Sequence, residues 1–249
     1  MPDPVIKGHG SLAHAYRWYV EVLPQTVRDM VDSADFGGFV RLLEKITNDL
    51  VHMYALAERW WDTTNTFHLP FGEMMMTPYD FSMITGLRVG GQRLILSVAF
   101  ETNPILVRNL IGGMPPNMDG SRFPYNWLRQ TYCKADHGLH DAQLLRVFLL
   151  YVLGCFIFST RNDRVSLNLL GSLTDIDDIS TYDWGGAALA LLYKHMGEVS
   201  RGTPHSTGGY WRAWEVLLYF ISLFASFAYS SNCFTDFLLF ACSCGASST

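Results

Sequence analysis

Apolar residues recur every three or four positions through residues 33–58, at Phe36, Phe39, Val40, Leu43, Ile46, Leu50 and Tyr54. That spacing predicts one amphipathic helix, with Ser33 or Asp35 as its N-cap. Residues 139–158 carry a different pattern: apolar on every side beyond Arg146. Asp141, Gln143 and Arg146 leave the unbroken apolar part shorter than the roughly 18 residues that argue for a membrane span, so a buried central helix is predicted. A further helix is predicted to start near Asp183, placing Ala188, Leu191, Leu192 and His195 on related faces.

Between the first two helices lies TNTFHLPFGEMMMTPYDFSMITGL, residues 64–87. Its first half has the texture of a short hairpin turning at Pro70–Gly72. Its second half opens with Thr77-Pro78-Tyr79-Asp80. The threonine can cap, the proline suits the first helical position, and the aspartate faces the positive end of the helix. Gly86 then ends it. RLILSV (93–98) reads as another strand, and residues 97–137 as the least regular region. Within it, 112–127 reads as a long loop leading to a short helix near Trp127–Tyr132. The pattern as a whole predicts a mainly α fold: a single α-helical domain with a minor β-hairpin.

The chain has 249 residues, of which 49% are hydrophobic and only 16% charged, with net charge -5. Length and apolar content suit one sizeable core. The acidic balance argues against direct nucleic-acid binding over a broad phosphate-gripping surface. Five cysteines (Cys133, Cys155, Cys233, Cys242, Cys244) form no zinc spacing and fit a reducing compartment. The first residues lack the apolar core of a signal peptide.

The candidate chemistry is thin. His68, Glu73 and Asp80 could form a metal or acid–base site, but His-x4-Glu matches no ligand signature and falls out of phase on either a helix or a single strand. Satisfying backbone groups at a tight turn is the preferred reading. Asp175, Asp177 and Asp178 lack the glycine turn and distal glutamate of a calcium loop. The pairs Gly90–Gly91, Gly112–Gly113 and Gly185–Gly186 open no phosphate loop. There is no nucleophile elbow or cysteine–histidine motif, and the lysines are Lys7, Lys45, Lys134 and Lys194. Lys194, beside His195, reads as a surface ammonium rather than a Schiff-base lysine. No catalytic residue, metal ligand or cofactor site is assigned.

Three separated stretches carry a resemblance. The first is LAERWWDTTNTFHLPFGEMMMTPYDFSMITGLRVGG (56–91), with Glu58, Arg59, Trp60, Phe67, His68, Gly72, Glu73, Thr77, Asp80 and Gly86. The second joins RVFLLYVLGCFIF (146–158) to 162–196, with Tyr182, Asp183, Trp184 and Gly185. GGYWRAWE (208–215) is the third, with Gly208, Gly209, Trp211, Trp214 and Glu215. In order and spacing they resemble the plant mobile domain family, sometimes labelled aminotransferase-like, over residues 20–216. Asn65 stands where a histidine is frequent in that family.

The resemblance implies a non-enzymatic nuclear regulator linked to transposon silencing, genome stability and meristem maintenance. It would act through nuclear protein partners, chromatin-associated or phosphatase-like. The alternatives are an enzyme with a site near His68, Glu73 and Asp80, or a transposon-derived nucleic-acid-associated protein. Residues 1–19 read as an N-terminal extension and 217–249 as a hydrophobic tail outside the family pattern. The tail reads first as a truncated or mis-spliced end that packs poorly, and second as a membrane anchor.

Overall fold

The chain is described by a computed structural model covering residues 12–43, 57–69, 72–134, 136–159, 163–202 and 208–219. Its axis is the predicted central helix, Asp141–Val152. Leu144 through Val152 are all buried, so the all-round apolar pattern reports a helix surrounded by protein. Helices Gln25–Ser33, Pro104–Ile111 and Asn126–Tyr132 pack against it. It continues into a π-helical turn, Leu153–Ile157, where Gly154 meets strand Arg164–Ser166 so closely that a Cβ would lie 2.5 Å from the Val165 Cβ.

The fold is mainly α, with a three-stranded antiparallel sheet and a two-stranded ribbon. β1 (Trp60–Trp61) pairs with β2 (Thr66–Leu69), which pairs with β3 (Gly72–Met74). β4 (Arg122–Pro124) pairs with β5 (Arg164–Ser166). The hairpin at 66–74 is therefore as predicted, while two of its turn residues, 70 and 71, lie outside the described residues.

The single helix over 33–58 is not observed as one element. Helix Gln25–Ser33 ends at Ser33, and a new helix runs from Gly37 to Leu42. The break is a Schellman closure: Asp35 adopts φ 63°, its N–H reaches the Asp32 carbonyl, and the Phe36 N–H reaches that of Val31. Ser33 instead bonds back to the Asp29 carbonyl, so neither proposed cap operates. Phe36, Phe39, Val40 and Leu43 are buried as the stripe requires. Ile46, Leu50 and Tyr54 lie outside the described residues, as does the tail from residue 220.

RLILSV is not a strand of either sheet, and Val98 at its end already has right-handed helical angles. The Ile95 N–H donates to the Ser172 hydroxyl, which donates to the Ile95 carbonyl, and the Ser97 N–H reaches the Asn168 carbonyl. Its partner is the 3-10 helix Leu167–Leu173, whose side chains and end groups satisfy it in place of a ladder. The region after it is more regular than its composition suggests. Asn103 caps Pro104–Ile111, and Gly112 closes that helix at φ 76°.

The same grammar at Thr77–Gly86 is observed as predicted. The Asp80 N–H donates to the Thr77 hydroxyl, the Thr77 N–H donates to the Asp80 carboxylate at 2.9 Å, and Gly86 sits at φ 69°. Thr77→Ala removes the hydroxyl arm of this capping box while leaving the backbone N–H bond to Asp80, and is expected to lower stability by about 1 kcal/mol. A urea midpoint unchanged from wild type would show that the helix start is held from elsewhere.

Candidate functional site

The strand register explains where the first motif stretch puts its side chains. Trp60 stands opposite Phe67, and His68 opposite Glu73. Directly opposed residues share a face, so the hairpin has an inner face of Trp60, Phe67 and Leu69 and an outer face of Trp61, Thr66, His68 and Glu73. A five-residue spacing that is out of phase on one strand is in phase across a turn.

On the outer face, His68 Nε2 lies 3.6 Å from Glu73 Oε1, an ion-pair separation beyond hydrogen-bond length. The Thr66 hydroxyl donates to the other Glu73 oxygen at 3.3 Å. The Trp61 indole stacks on the imidazole, with centroids 4.5 Å apart and planes within 10°. Asp80 is engaged in the capping box and does not complete a triad. His68 and Glu73 are thus brought together, whereas Asp80 serves its own helix. Among the described residues, no group of three His, Cys, Asp or Glu side chains could hold a metal ion.

The inner face joins all three motif stretches. Trp214 packs edge-on to Phe67 at 5.0 Å and to Trp60 at 5.5 Å, and Trp60 meets Phe67 at 4.8 Å. Tyr193 of helix Trp184–Ser200 closes the cluster against Trp60 and Trp214. Its hydroxyl donates to the Met76 carbonyl; burial pushes its pKa up to about 12, so at neutral pH it remains a donor. These rings bind the hairpin, the long helix and the 208–215 stretch into one body.

The remaining motif residues are structural in a similarly direct way. Gly208 faces the Ser159 carbonyl and His195, each 2.5 Å from where a Cβ would stand, and the Gly209 N–H donates to the Ser159 hydroxyl. The Trp211 indole donates to the Gly208 carbonyl at 2.6 Å, and Arg212 pairs with Glu215. Glu58 is exposed, while the Arg59 carbonyl accepts from the His68 N–H. Asp183 caps the long helix through the Gly186 N–H and takes a second bond from the Gly90 N–H, both at 2.8 Å. Tyr182 bridges to Gln92, the Trp184 indole donates to the Ile179 carbonyl, and the Gly185 N–H reaches the Arg88 carbonyl. Of the acidic triplet, Asp175 accepts from the Asp177 N–H, which is the bond of a turn. Cys133 and Cys155 are free thiols.

One feature has no precursor in the motif pattern. A cleft of about 810 Å³ opens between segment 91–96, the β4–β5 ribbon, and the helix face carrying Ala187, Ala190 and Lys194. Arg93, Arg122, Arg164 and Lys194 line it, against one carboxylate, Asp183. The small residues Ala187 and Ala190 leave the space open. The first turns of this helix are rich in small residues (Gly185, Gly186, Ala187, Ala188, Ala190), which by itself does not mark a cleft.

Comparison with known proteins places these observations. The family model for the plant mobile domain matches residues 39–222. Protein MAIN-LIKE 1 of Arabidopsis thaliana is 35% identical over 202 residues, covering 77% of this chain and 38% of that protein. Protein MAINTENANCE OF MERISTEMS, from the same plant, is 33% identical over 186 residues, covering 72% of this chain and 39% of that protein. A serine/threonine-protein phosphatase 7 long form homolog, also from Arabidopsis thaliana, is 33% identical over 167 residues, only 12% of its length. The chain therefore spans well under half of the curated relatives it matches. No solved structure matches it at a significant level.

Proposed function

Since the chain belongs to the plant mobile domain family, we propose that it is a non-enzymatic binding module of the nucleus. In this reading it acts through chromatin-associated or phosphatase-like protein partners, in meristem maintenance and transposon silencing. The supporting observation is what the motif residues do. The aromatic members from all three stretches pack into one core, and the polar members Thr77, Asp80 and Asp183 hold helix ends and backbone N–H groups. The signature members that pack or cap are scaffold, which leaves function to the surface that the scaffold presents.

One relative is named for the maintenance of meristems, another is named MAIN-LIKE 1, and a third match lies inside a phosphatase homolog, which fits a domain used in several contexts. The enzyme alternative draws on half-buried His68 and exposed Glu73, whose described polar neighbour is the Thr66 hydroxyl on the Glu73 carboxylate. No described helix is long and apolar enough to cross a membrane.

The test is a tagged full-length chain expressed in plant tissue, imaged and then purified with its partners. Nuclear signal with recurrent chromatin or phosphatase-like proteins is the expected result. A purely cytosolic distribution with metabolic enzymes as partners would overturn the proposal.

A further inference from the structure

The cleft is anomalous against the rest of the chain. The protein carries net charge -5, yet the cleft brings together four cations and one carboxylate. That carboxylate, Asp183, already accepts two backbone N–H bonds. Nothing in the motif pattern predicts this, because the cations come from four separate structural elements.

Each element contributes in a definite way. The register of the ribbon sets Arg122 opposite Ser166 and Pro124 opposite Arg164, so both arginines lie on the face away from buried Phe123 and Val165. Arg164 is oriented by bonds to the Asn117 and Arg122 carbonyls. Arg93 and Arg122 are exposed, and among the described residues neither forms an ion pair with a carboxylate. Lys194 is 66% exposed and stands 3.9 Å from Glu198, a loose surface pair. Between the cations the walls are apolar: Leu94, Leu96, Phe158, Leu169 and Leu191.

We propose that this cleft binds a short acidic peptide segment of a protein partner, with its carboxylates on Arg93, Arg122 and Lys194 and an apolar side chain between Leu94 and Leu169. Clustered arginines suit acidic motifs, and the apolar floor suits a side chain set between the charges. A nucleic-acid backbone would call for a continuous basic stripe and a row of stacking rings, whereas Phe158 is the one ring among the lining leucines. The inference rests on the partner-binding reading and names the chemistry of the partner.

The experiment uses the full chain and a fluorescein-labelled peptide of alternating Glu and Leu, beside the same peptide with Gln for Glu. Fluorescence polarisation is expected to show binding of the acidic peptide at least tenfold tighter, and weakening as salt rises. Arg93→Glu with Lys194→Glu, both at exposed positions, is expected to abolish that preference while the melting curve stays unchanged. Equal affinity for the two peptides, or no response to charge reversal, overturns the proposal. So does tighter binding of an oligothymidylate or of pyrophosphate that displaces the peptide, which would make the cleft a phosphate site. The two readings separate in purification from plant nuclei. If wild type and the charge-reversed chain recover the same partners, the cleft proposal falls and the partner-binding reading stands. If wild type recovers none while the peptide still binds, the partner-binding reading falls and the cleft's chemistry remains.

Discussion

Trp214→Ala is expected to cost about 3–5 kcal/mol of stability, the range for removing a large buried ring. Trp214 is wholly buried, and three other rings lie within 5.5 Å of it, so truncation opens a void among groups that cannot collapse into it. Against a total stability of about 5–15 kcal/mol, such a loss is a large share. For a chain of this size it corresponds to a fall of about 10 °C in Tm. The internal comparison is Trp61→Ala. Trp61 is 55% exposed and covers only His68, and its removal is expected to change stability by under about 1 kcal/mol. Thermal melts followed by circular dichroism decide the matter. Equal losses for the two tryptophans would mean that the cluster is not what joins the three motif stretches.

Arg146→Ala is the second large effect. This arginine is buried on the central helix, where its guanidinium donates to the Leu173 carbonyl at 2.7 Å, the Thr174 carbonyl at 2.8 Å and the Ala142 carbonyl at 3.3 Å. It thereby satisfies the carbonyls that the 3-10 helix Leu167–Leu173 leaves open at its end. Burial lowers the pKa of the guanidinium from its ordinary value, with nearby Asp175 opposing that shift; it remains charged at neutral pH. Removing it strands buried acceptors, and the expected cost is about 3 kcal/mol, in the range for bonds to a charged donor. Arg146→Lys should recover less than half of the loss, because one ammonium cannot span acceptors that a planar fork reaches together. Urea midpoints for the two variants provide the measurement. Full recovery by lysine would show that charge alone matters at this position.

What the sequence made legible was local. Thr77-Pro78-x-Asp80 with Gly86 could be read entirely, since every bond of the cap lies within ten residues. The central helix was legible because apolar residues on all sides leave a helix no alternative but burial. The same logic failed at Ala34–Asp35, where a buried stripe continued across a closure formed by a non-glycine residue in the left-handed region. It failed again at RLILSV, whose apolar run suited a strand but whose partner is a 3-10 helix. The pairing of His68 with Glu73 needed a register, and the cleft needed four stretches, at residues 93, 122, 164 and 194, to be brought together. Asp183 was read as the start of a helix, correctly, but its bond to Gly90 spans 93 positions and left no local trace.

The π turn at Leu153–Ile157 bears on how this chain tolerates changes of length. A π turn encloses one more residue than an α turn, so it accommodates a single-residue insertion while the helix on either side keeps its phase. Here the extra residue is absorbed beside Gly154, where the absence of a side chain lets β5 lie close. Upstream, Phe148 and Tyr151 keep their orientation toward Trp18, which opens a π turn of its own at Trp18–Val22. Downstream, Ser159 keeps the position from which it holds Gly209. Deleting one residue at this point would restore a uniform α repeat with the flanks still in phase, whereas a deletion within Asp141–Val152 would rotate the helix end by about 100°. A one-residue change of length is therefore expected to be tolerated better at this buried turn than within Asp141–Val152, although loops ordinarily carry such variation.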